Sequence, residues 1–457
     1  MLNTTIHREA SLIQKYESYS VPRYTSYPTA VEFSEAFGAE NLYQAACRYP
    51  QHPLSLYVHL PFCRQLCYFC ACNKLITRQA DKVTRYLEHL AQEIQHYSPL
   101  FSTRLVNQLH WGGGTPTLLN NLQISQLNQQ LRQAFHFTEE TECSIEIDPR
   151  QVELSLLDHL RQEGFNRISI GVQDLNATVQ QVINRQQDEN LIAALIQRAR
   201  ELKFHSIHLD LIYGLPQQTP ETFTATLTKI IDWDPDRLSL FNYAHLPDRF
   251  PGQHKIKTID LPNSQLKWII WQRSQEQLLT AGYQWIGMDH FAKSTDDLFK
   301  AQQTGQLHRN FQGYTTHKNC ELLGLGVSAI SSLGDTYAQN QKLLGNYESQ
   351  VAKSGQAIWR GLILSRDDCL RRDIIQSLIC HFTLDIQQIE QHYSIQFADY
   401  FAAELSLLEA LAADELLNIY PQRITVTPTG RLLIRQICCC FDRYFNPSSR
   451  KMFSRLI

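Results

Sequence analysis

Between residues 54 and 246 the chain alternates six times between a short apolar, β-branched run and a helix-like stretch. The runs are LSLYVHLPF (54–62), NQLHWGGGTP (107–116), CSIEIDP (143–149), NRISIGVQD (166–174), SIHLDLIYGLP (206–216) and DRLSLFNYAHL (236–246). VTRYLEHLAQEIQHY, QISQLNQQLRQAF, SLLDHLRQEG and ENLIAALIQRARELKF lie between them and show helical periodicity. Such alternation predicts parallel βα units with right-handed crossovers. Glycine and polar residues gather where each run ends, in PFC, GGGTP, EIDP, GVQD, YGLP and NYAH. In a parallel barrel that face carries the active site. The expected fold class is therefore α/β, a partial (βα)6 TIM-like barrel; six units fall short of a closed barrel, so one side is expected to be open. A doubly wound sheet is the alternative that periodicity leaves standing.

Residues 1–50 carry few core-like runs, and VPRYTSYPTA (21–30) is turn-rich, so this segment reads as an N-terminal arm. Residues 51–365 form the expected barrel domain. From 366 to 457 the pattern becomes mainly helical, with a short strand at RITV, and reads as a C-terminal domain.

The second constraint is CRQLCYFCAC, which places Cys63, Cys67, Cys70 and Cys72 within ten residues. Twelve cysteines in 457 residues are too sparse for a disulfide scaffold, and the first twenty residues lack the apolar core of a signal peptide. No run approaches the roughly 18 apolar residues of a membrane span. A cytoplasmic protein with reduced thiols is expected, so the cluster points to metal or redox chemistry. Four zinc ligands in ten residues would strain the loop, whereas cysteines at x₃ and x₂ spacing suit three corners of a [4Fe–4S] cluster with the fourth iron open. Cys47, Cys143, Cys320, Cys369 and Cys380 read as buried thiols, and Cys438, Cys439 and Cys440 as structural. A net charge of −3 gives no basic footprint for nucleic acid, so an anionic substrate must be held by local Arg and Lys.

The pattern C-x₃-C-x-aromatic-C, with Phe69 at the aromatic position, resembles the signature of the radical S-adenosylmethionine enzymes. With GGGTPT, YVHLPFC, FNYAHLP, GMDHFA and HRNFQGYTT, the chain from about residue 20 onward resembles the oxygen-independent coproporphyrinogen III oxidase family, also called coproporphyrinogen dehydrogenases. The resemblance implies that Cys63, Cys67 and Cys70 ligate the cluster, and that S-adenosylmethionine chelates the open iron. It implies cofactor contacts at Tyr57, Phe69, Gly112, Gly113, Gly114, Glu146 and Ile330. For a second S-adenosylmethionine it implies Gly114, Thr115, Gln173, Arg185, Asp210 and Ala244. Each residue alone also fits a plainer role as a turn, cap or surface group; their shared position at strand ends favours the site.

The implied reaction converts two propionates of coproporphyrinogen III to vinyls by oxidative decarboxylation, each consuming one S-adenosylmethionine. It requires an electron donor such as a flavodoxin or ferredoxin system; a monomer without membrane or nucleic-acid partners is expected. Cys72 is the candidate catalytic residue, because a fourth thiolate ligand would block the cofactor. The alternative is a haem-carrying chaperone on the same core, from which the family's extra cysteine, matched by Cys72, distinguishes the enzyme. Arg23 and Tyr24 are candidate propionate partners, with an arm-anchoring role as the alternative. His290 and His308 read as structural.

Overall fold

The computed structural model describes residues 12, 15–17, 19–445, 453 and 455. The six apolar runs become β1 (Leu54–Leu60), β2 (Leu105–Gly113), β3 (His136–Ile147), β4 (Arg167–Gln173), β5 (Ser206–Tyr213) and β6 (Arg237–Asn242). All six are parallel and pair in chain order. The crossovers start cleanly. Asn120 and Gln123 form a reciprocal cap for the helix Asn121–Ala134, and Thr219 caps the helix Pro220–Asp232 with proline in its first turn.

Successive strand residues face opposite sides of a sheet. One set, including Leu109, Trp111, Ile145, Leu209 and Leu238, is fully buried beneath the helices, each side chain contributing about 1.5–3 kcal/mol through burial. The other set is polar: His110, Ser144, Glu146, Ser169, His208 and Asp210 all line one cavity of about 470 Å³. With Ser239 of β6, residues of five parallel strands face one cavity, which requires a curled sheet, the partial barrel.

The sheet is larger than the sequence reading. It adds β7 (Tyr283–Gly287), β8 (His290–Lys293), β9 (Glu321–Leu325), β10 (Ile330–Leu333), β11 (Thr336–Asn340) and β12 (Ile358–Ile363). The order is β12-β11-β10-β9-β1-β2-β3-β4-β5-β6-β8-β7, open at both ends among the described residues. β9 pairs parallel to β1 as a seventh parallel strand, and the remaining additions are antiparallel.

Two hydrophobic cores result. The first joins the sheet to its helices and includes Leu42, Ala45 and Ala46 of the helix Ala39–Arg48. The second joins Val21, Tyr24 and Tyr27 to Ile286, Leu298 and Leu307 and to the C-terminal segment, where Phe401 packs edge-on to Phe441. The arm therefore serves both cores, and the second core crosses the expected boundary at 365/366. The C-terminal segment is helical but also holds a three-stranded antiparallel sheet built from Thr383–Asp385, Leu417–Tyr420 and Arg423–Val426. Cys47, expected to be buried, is exposed because Leu42, Ala45 and Ala46 occupy the inward face of its helix; Cys320 and Cys369 are only partly buried.

The helix Ala80–Phe101 fixes the end of β1 through two polar side chains. Tyr86 donates its hydroxyl to the His59 carbonyl at 2.5 Å and accepts from the Val327 N–H. Glu93, completely buried, accepts from the Gly326 N–H at 2.7 Å, the Tyr347 hydroxyl at 2.6 Å and the Asn340 amide at 2.6 Å. Burial raises its carboxyl to about 7, against the lowering effect of those hydrogen bonds. The native chain thus keeps a proton that the unfolded chain releases near 4.5, so this group's contribution is full below 4.5 and is lost as pH rises through 7. The change is on the order of 3 kcal/mol. Anaerobic thermal melts of Glu93→Gln should lack this component of the decline between those pH values. A slope identical to wild type would contradict it.

Candidate active site

Backbone pairing builds the site. The cysteine loop leaves β1 at Pro61, and its ends are closed by parallel pairing of Phe62–Cys63 with Leu75–Ile76. The glycine turn after β2 lies against the same segment: the Gly114 N–H donates to the Leu60 carbonyl and the Thr115 N–H to the Phe62 carbonyl, both at 2.8 Å. A Cβ on Gly114 would lie 2.7 Å from the Pro61 carbonyl carbon and oxygen, and backbone cannot move aside. Gly113 has φ +113°, and a Cβ there would meet the His59 ring at 2.6 Å. Both positions require glycine.

Cys63, Cys67, Cys70 and Cys72 line the 470 Å³ cavity together. Cationic and hydroxyl donors reach two of the sulfurs. Thr115 Oγ1 lies 3.4 Å from Cys63 Sγ, and Arg150 and Arg185 lie 3.3 and 3.4 Å from Cys67 Sγ. The Cys70 thiol is brought down to about 6, first by its hydrogen bond with Cys72 and, against burial, by the charge of Lys74; Cys72 is pushed up by the same contact. Cys63 is pushed up to about 11 by burial, which Thr115 opposes. Among the described residues no three His, Cys, Asp or Glu side chains group around a single metal ion. Three thiols around a cavity, with donors aimed at sulfur, fit a multi-iron cluster better than zinc.

Phe69, Gly113, Gly114, Thr115, Glu146, Gln173, Arg185 and Asp210 also line this cavity. Glu146 accepts from the Gly113 N–H at 3.1 Å and from His110 Nε2 at 3.3 Å. Burial works against its charge, but His110 and the Gly113 amide hold its carboxyl below the usual range. Arg185 is buried rather than solvated, donating to the Gly171 carbonyl at 2.6 Å and to Asp148 at 3.3 Å. Asp210 accepts from the Ser169 hydroxyl at 2.9 Å. Gln173 sits at φ +68°, a left-handed backbone that ends β4 at the cavity.

Four expected contacts lie outside this lining. Gly112 is behind it on β2, where a Cβ would lie 2.8 Å from Glu146 Oε1. Tyr57 is one layer away, stacked on His110 with centroids 5.9 Å apart. Ala244 lines a second, neighbouring cavity, and Gln253 ties its carbonyl to that of Phe69. Ile330 packs beside Phe33, Tyr337 and Leu364. Of the arm candidates, Arg23 pairs with Asp289, while Tyr24 is buried and donates to Asp442 at 3.0 Å. His290 also lines the 470 Å³ cavity and is kept neutral first by burial, then by nearby Arg309.

The sequence reading missed His59, His110, Asp148 and Arg150. His59 Nε2 lies 2.9 Å from the Asn73 carbonyl, which only accepts, so Nδ1 accepts from the Tyr57 hydroxyl at 2.9 Å. Period-two spacing held the clue: Tyr57 with His59, and His110 with Gly112, share one strand face. EIDPR likewise places an acid and an arginine just after β3.

Residues 57–230 match the family model of the radical SAM superfamily, and residues 364–433 match that of the HemN C-terminal domain. Cysteine loop, glycine turn and strand-end cavity together define the class as a radical SAM protein. The oxygen-independent coproporphyrinogen III oxidase of Escherichia coli K12 is 58% identical over 450 residues, covering 98% of each chain. The protein of that name in Pseudomonas aeruginosa PAO1 is 48% identical over 458 residues, covering 99% of each chain. A solved structure described as coproporphyrinogen III oxidase from Escherichia coli, a radical SAM enzyme, superimposes with a TM-score of 0.91 at 59% identity, covering 93% of this chain and 98% of that one. The chain belongs to the oxygen-independent coproporphyrinogen III oxidase family. With the superfamily come its cofactors, a [4Fe–4S] cluster and S-adenosylmethionine.

Gly114→Ala tests the backbone contact. Overpacking there costs about 1–3 kcal/mol, and turnover should fall about tenfold or more while the circular dichroism spectrum stays native. Unchanged turnover would contradict the contact's role.

Proposed function

We propose that this chain oxidatively decarboxylates two propionates of coproporphyrinogen III to vinyls without oxygen, giving protoporphyrinogen IX in haem biosynthesis. The carrying observation is the convergence of Cys63, Cys67 and Cys70 with the glycine turn and Glu146 on one cavity at the strand ends. The haem-chaperone alternative is not favoured, since relatives aligned over 98% or more of the chain bear the oxidase name.

Cys63, Cys67 and Cys70 hold the cluster, and Thr115, Arg150 and Arg185 offset the charge on its sulfurs. When bound, the cluster and S-adenosylmethionine together supply one electron and a carbon radical able to take a hydrogen atom. In this reading Glu146 and the Gly112–Gly114 backbone would meet the methionyl ammonium and Phe69 would border the adenine, with Tyr57 and Ile330 contributing from outside the cavity's lining. Gln173, Arg185, Asp210 and Ala244, with Gly114 and Thr115, would receive a second S-adenosylmethionine. Arg185 thus serves both the cofactor and the Cys67 sulfur.

The propionate β-carbon gives up a hydrogen atom; its carboxylate then leaves as carbon dioxide and one electron departs, so the carbon chain closes to a vinyl. Each vinyl therefore takes one electron in and returns one to an acceptor outside the chain. A small electron-transfer protein such as a flavodoxin or ferredoxin suits the first step. A monomer in the reducing cytoplasm suits the open cluster; among the described residues no helix is long and apolar enough to cross a membrane.

Cys72 sits at the cavity within hydrogen-bonding reach of Cys70, and we assign it to substrate-side hydrogen or electron transfer rather than ligation. Anaerobically reconstituted Cys67→Ala should lose the cluster by iron content and absorption spectrum. Cys72→Ser should keep both and lose about tenfold or more of its turnover of coproporphyrinogen III. A normal [4Fe–4S] spectrum in Cys67→Ala would overturn the ligand set, and cluster loss in Cys72→Ser would make Cys72 a ligand.

A further inference from the structure

Beside the cysteine-lined cavity lies a larger one, of about 790 Å³, at the far side of the ends of β5 and β6. One residue of strand separates the two. Phe241 and His290 line the smaller cavity, while their chain neighbours Asn242 and Asp289 line the larger. Arg23 stands at this wall, 6.0 Å over the Phe241 ring and paired with Asp289.

The charge of the larger cavity is unbalanced. Among the described residues it is lined by Arg23, Lys267, Arg431, Arg435 and Arg455 but by a single carboxylate, Asp289. The whole chain is net −3, so this is a local concentration. Arg23 engages the one acid. Among the described residues Lys267, in the first turn of the helix Ser264–Thr280, donates to neutral acceptors, the Tyr243 carbonyl at 3.1 Å and Asn242 Oδ1 at 3.4 Å. Burial, then Arg455, lowers its pKa to about 8. The buried Nε of Arg431 has no hydrogen-bond partner among the described residues. Part of the remaining wall is aromatic: Tyr213 and Trp271 pack 5.6 Å apart, with Trp268 and Trp285 beside them. Half-buried cations lacking acids beside an apolar wall are costly until an anion joins them. A ligand with carboxylates on an apolar frame satisfies both features.

We propose that this cavity binds the carboxylates the reaction leaves intact, with Lys267 and Arg431 as their cationic partners and the tryptophans facing the pyrrole frame. This rests on the tetrapyrrole reading above and extends it to specificity: the retained propionates anchor here, and those to be oxidised reach past Phe241 toward the cysteines.

The test uses the holoenzyme under anaerobic conditions. Fluorescence titration with coproporphyrin III, the oxidised tetracarboxylate, compares wild type with Lys267→Met, Lys267→Arg and Arg431→Gln; the methyl-esterified porphyrin is the control. Lys267→Met should weaken binding about tenfold. Its KM for coproporphyrinogen III should rise similarly, with iron content, melting temperature and KM for S-adenosylmethionine unchanged. Lys267→Arg should restore most of the affinity, and the ester should not distinguish the variants. Should Lys267→Met fail to fold, Arg431→Gln gives the same readout. Wild-type affinity in both Lys267→Met and Arg431→Gln overturns the cavity assignment while leaving the reaction intact. Weakened binding in a protein whose wild type does not turn over the substrate supports the cavity and refutes the reaction.

Discussion

The site depends on the approach of the Gly112–Gly114 turn to the backbone of Pro61 and Phe62. Two amide hydrogen bonds of 2.8 Å join the end of β2 to the exit of β1, at a spacing no side chain on Gly114 permits. That contact presents Cys63 on a paired segment rather than a free loop, with Thr115 beside its sulfur. Because β1 is an interior strand paired on both sides, with β2 and β9, the cysteines are anchored to a strand held from both edges. The helix Ala80–Phe101 reinforces it from outside through Tyr86 and Glu93.

Electrostatics follow from placing anions inside a curled sheet. Thiolates and carboxylates at the strand ends are costly to bury unless cations or hydrogen-bond donors accompany them. Asp148, Arg150 and Arg185 form a compact group in which the arginines serve both the aspartate and Cys67. The group lies where β3 ends and where the helix Ala177–Val182 gives way to the next. Glu146 is balanced separately, by His110 and an amide, and stays ionised facing the cavity. Glu146 and the Asp148–Arg150–Arg185 group are thus balanced by separate partners although both gather at the end of β3.

The six parallel strands were legible because each run combines β-branched residues with a polar end, and the cysteine spacing with GGGTPT marked one face as functional. β9 was not legible: ELLGL is short, and its partner β1 lies far away in sequence, so no local pattern announces that pairing. The arm's burial was hidden for a similar reason, since Tyr24 and Tyr27 find their core only against the C-terminal segment. His59 and His110 could have been read from period-two spacing, whereas Arg150 and Asp148 acquire meaning only when Cys67 is brought beside them. Tyr57, Ala244 and Ile330 stand outside the lining of the cysteine cavity, a placement that strand position alone does not reveal.

Two vinyls require two hydrogen-atom abstractions, and the residues assigned to S-adenosylmethionine divide into two sets around one cluster. The most direct measurement is anaerobic turnover of coproporphyrinogen III with reductant, counting 5′-deoxyadenosine against protoporphyrinogen IX. Two 5′-deoxyadenosines per product is the expected result. A ratio of one, or product formed without 5′-deoxyadenosine, would contradict it.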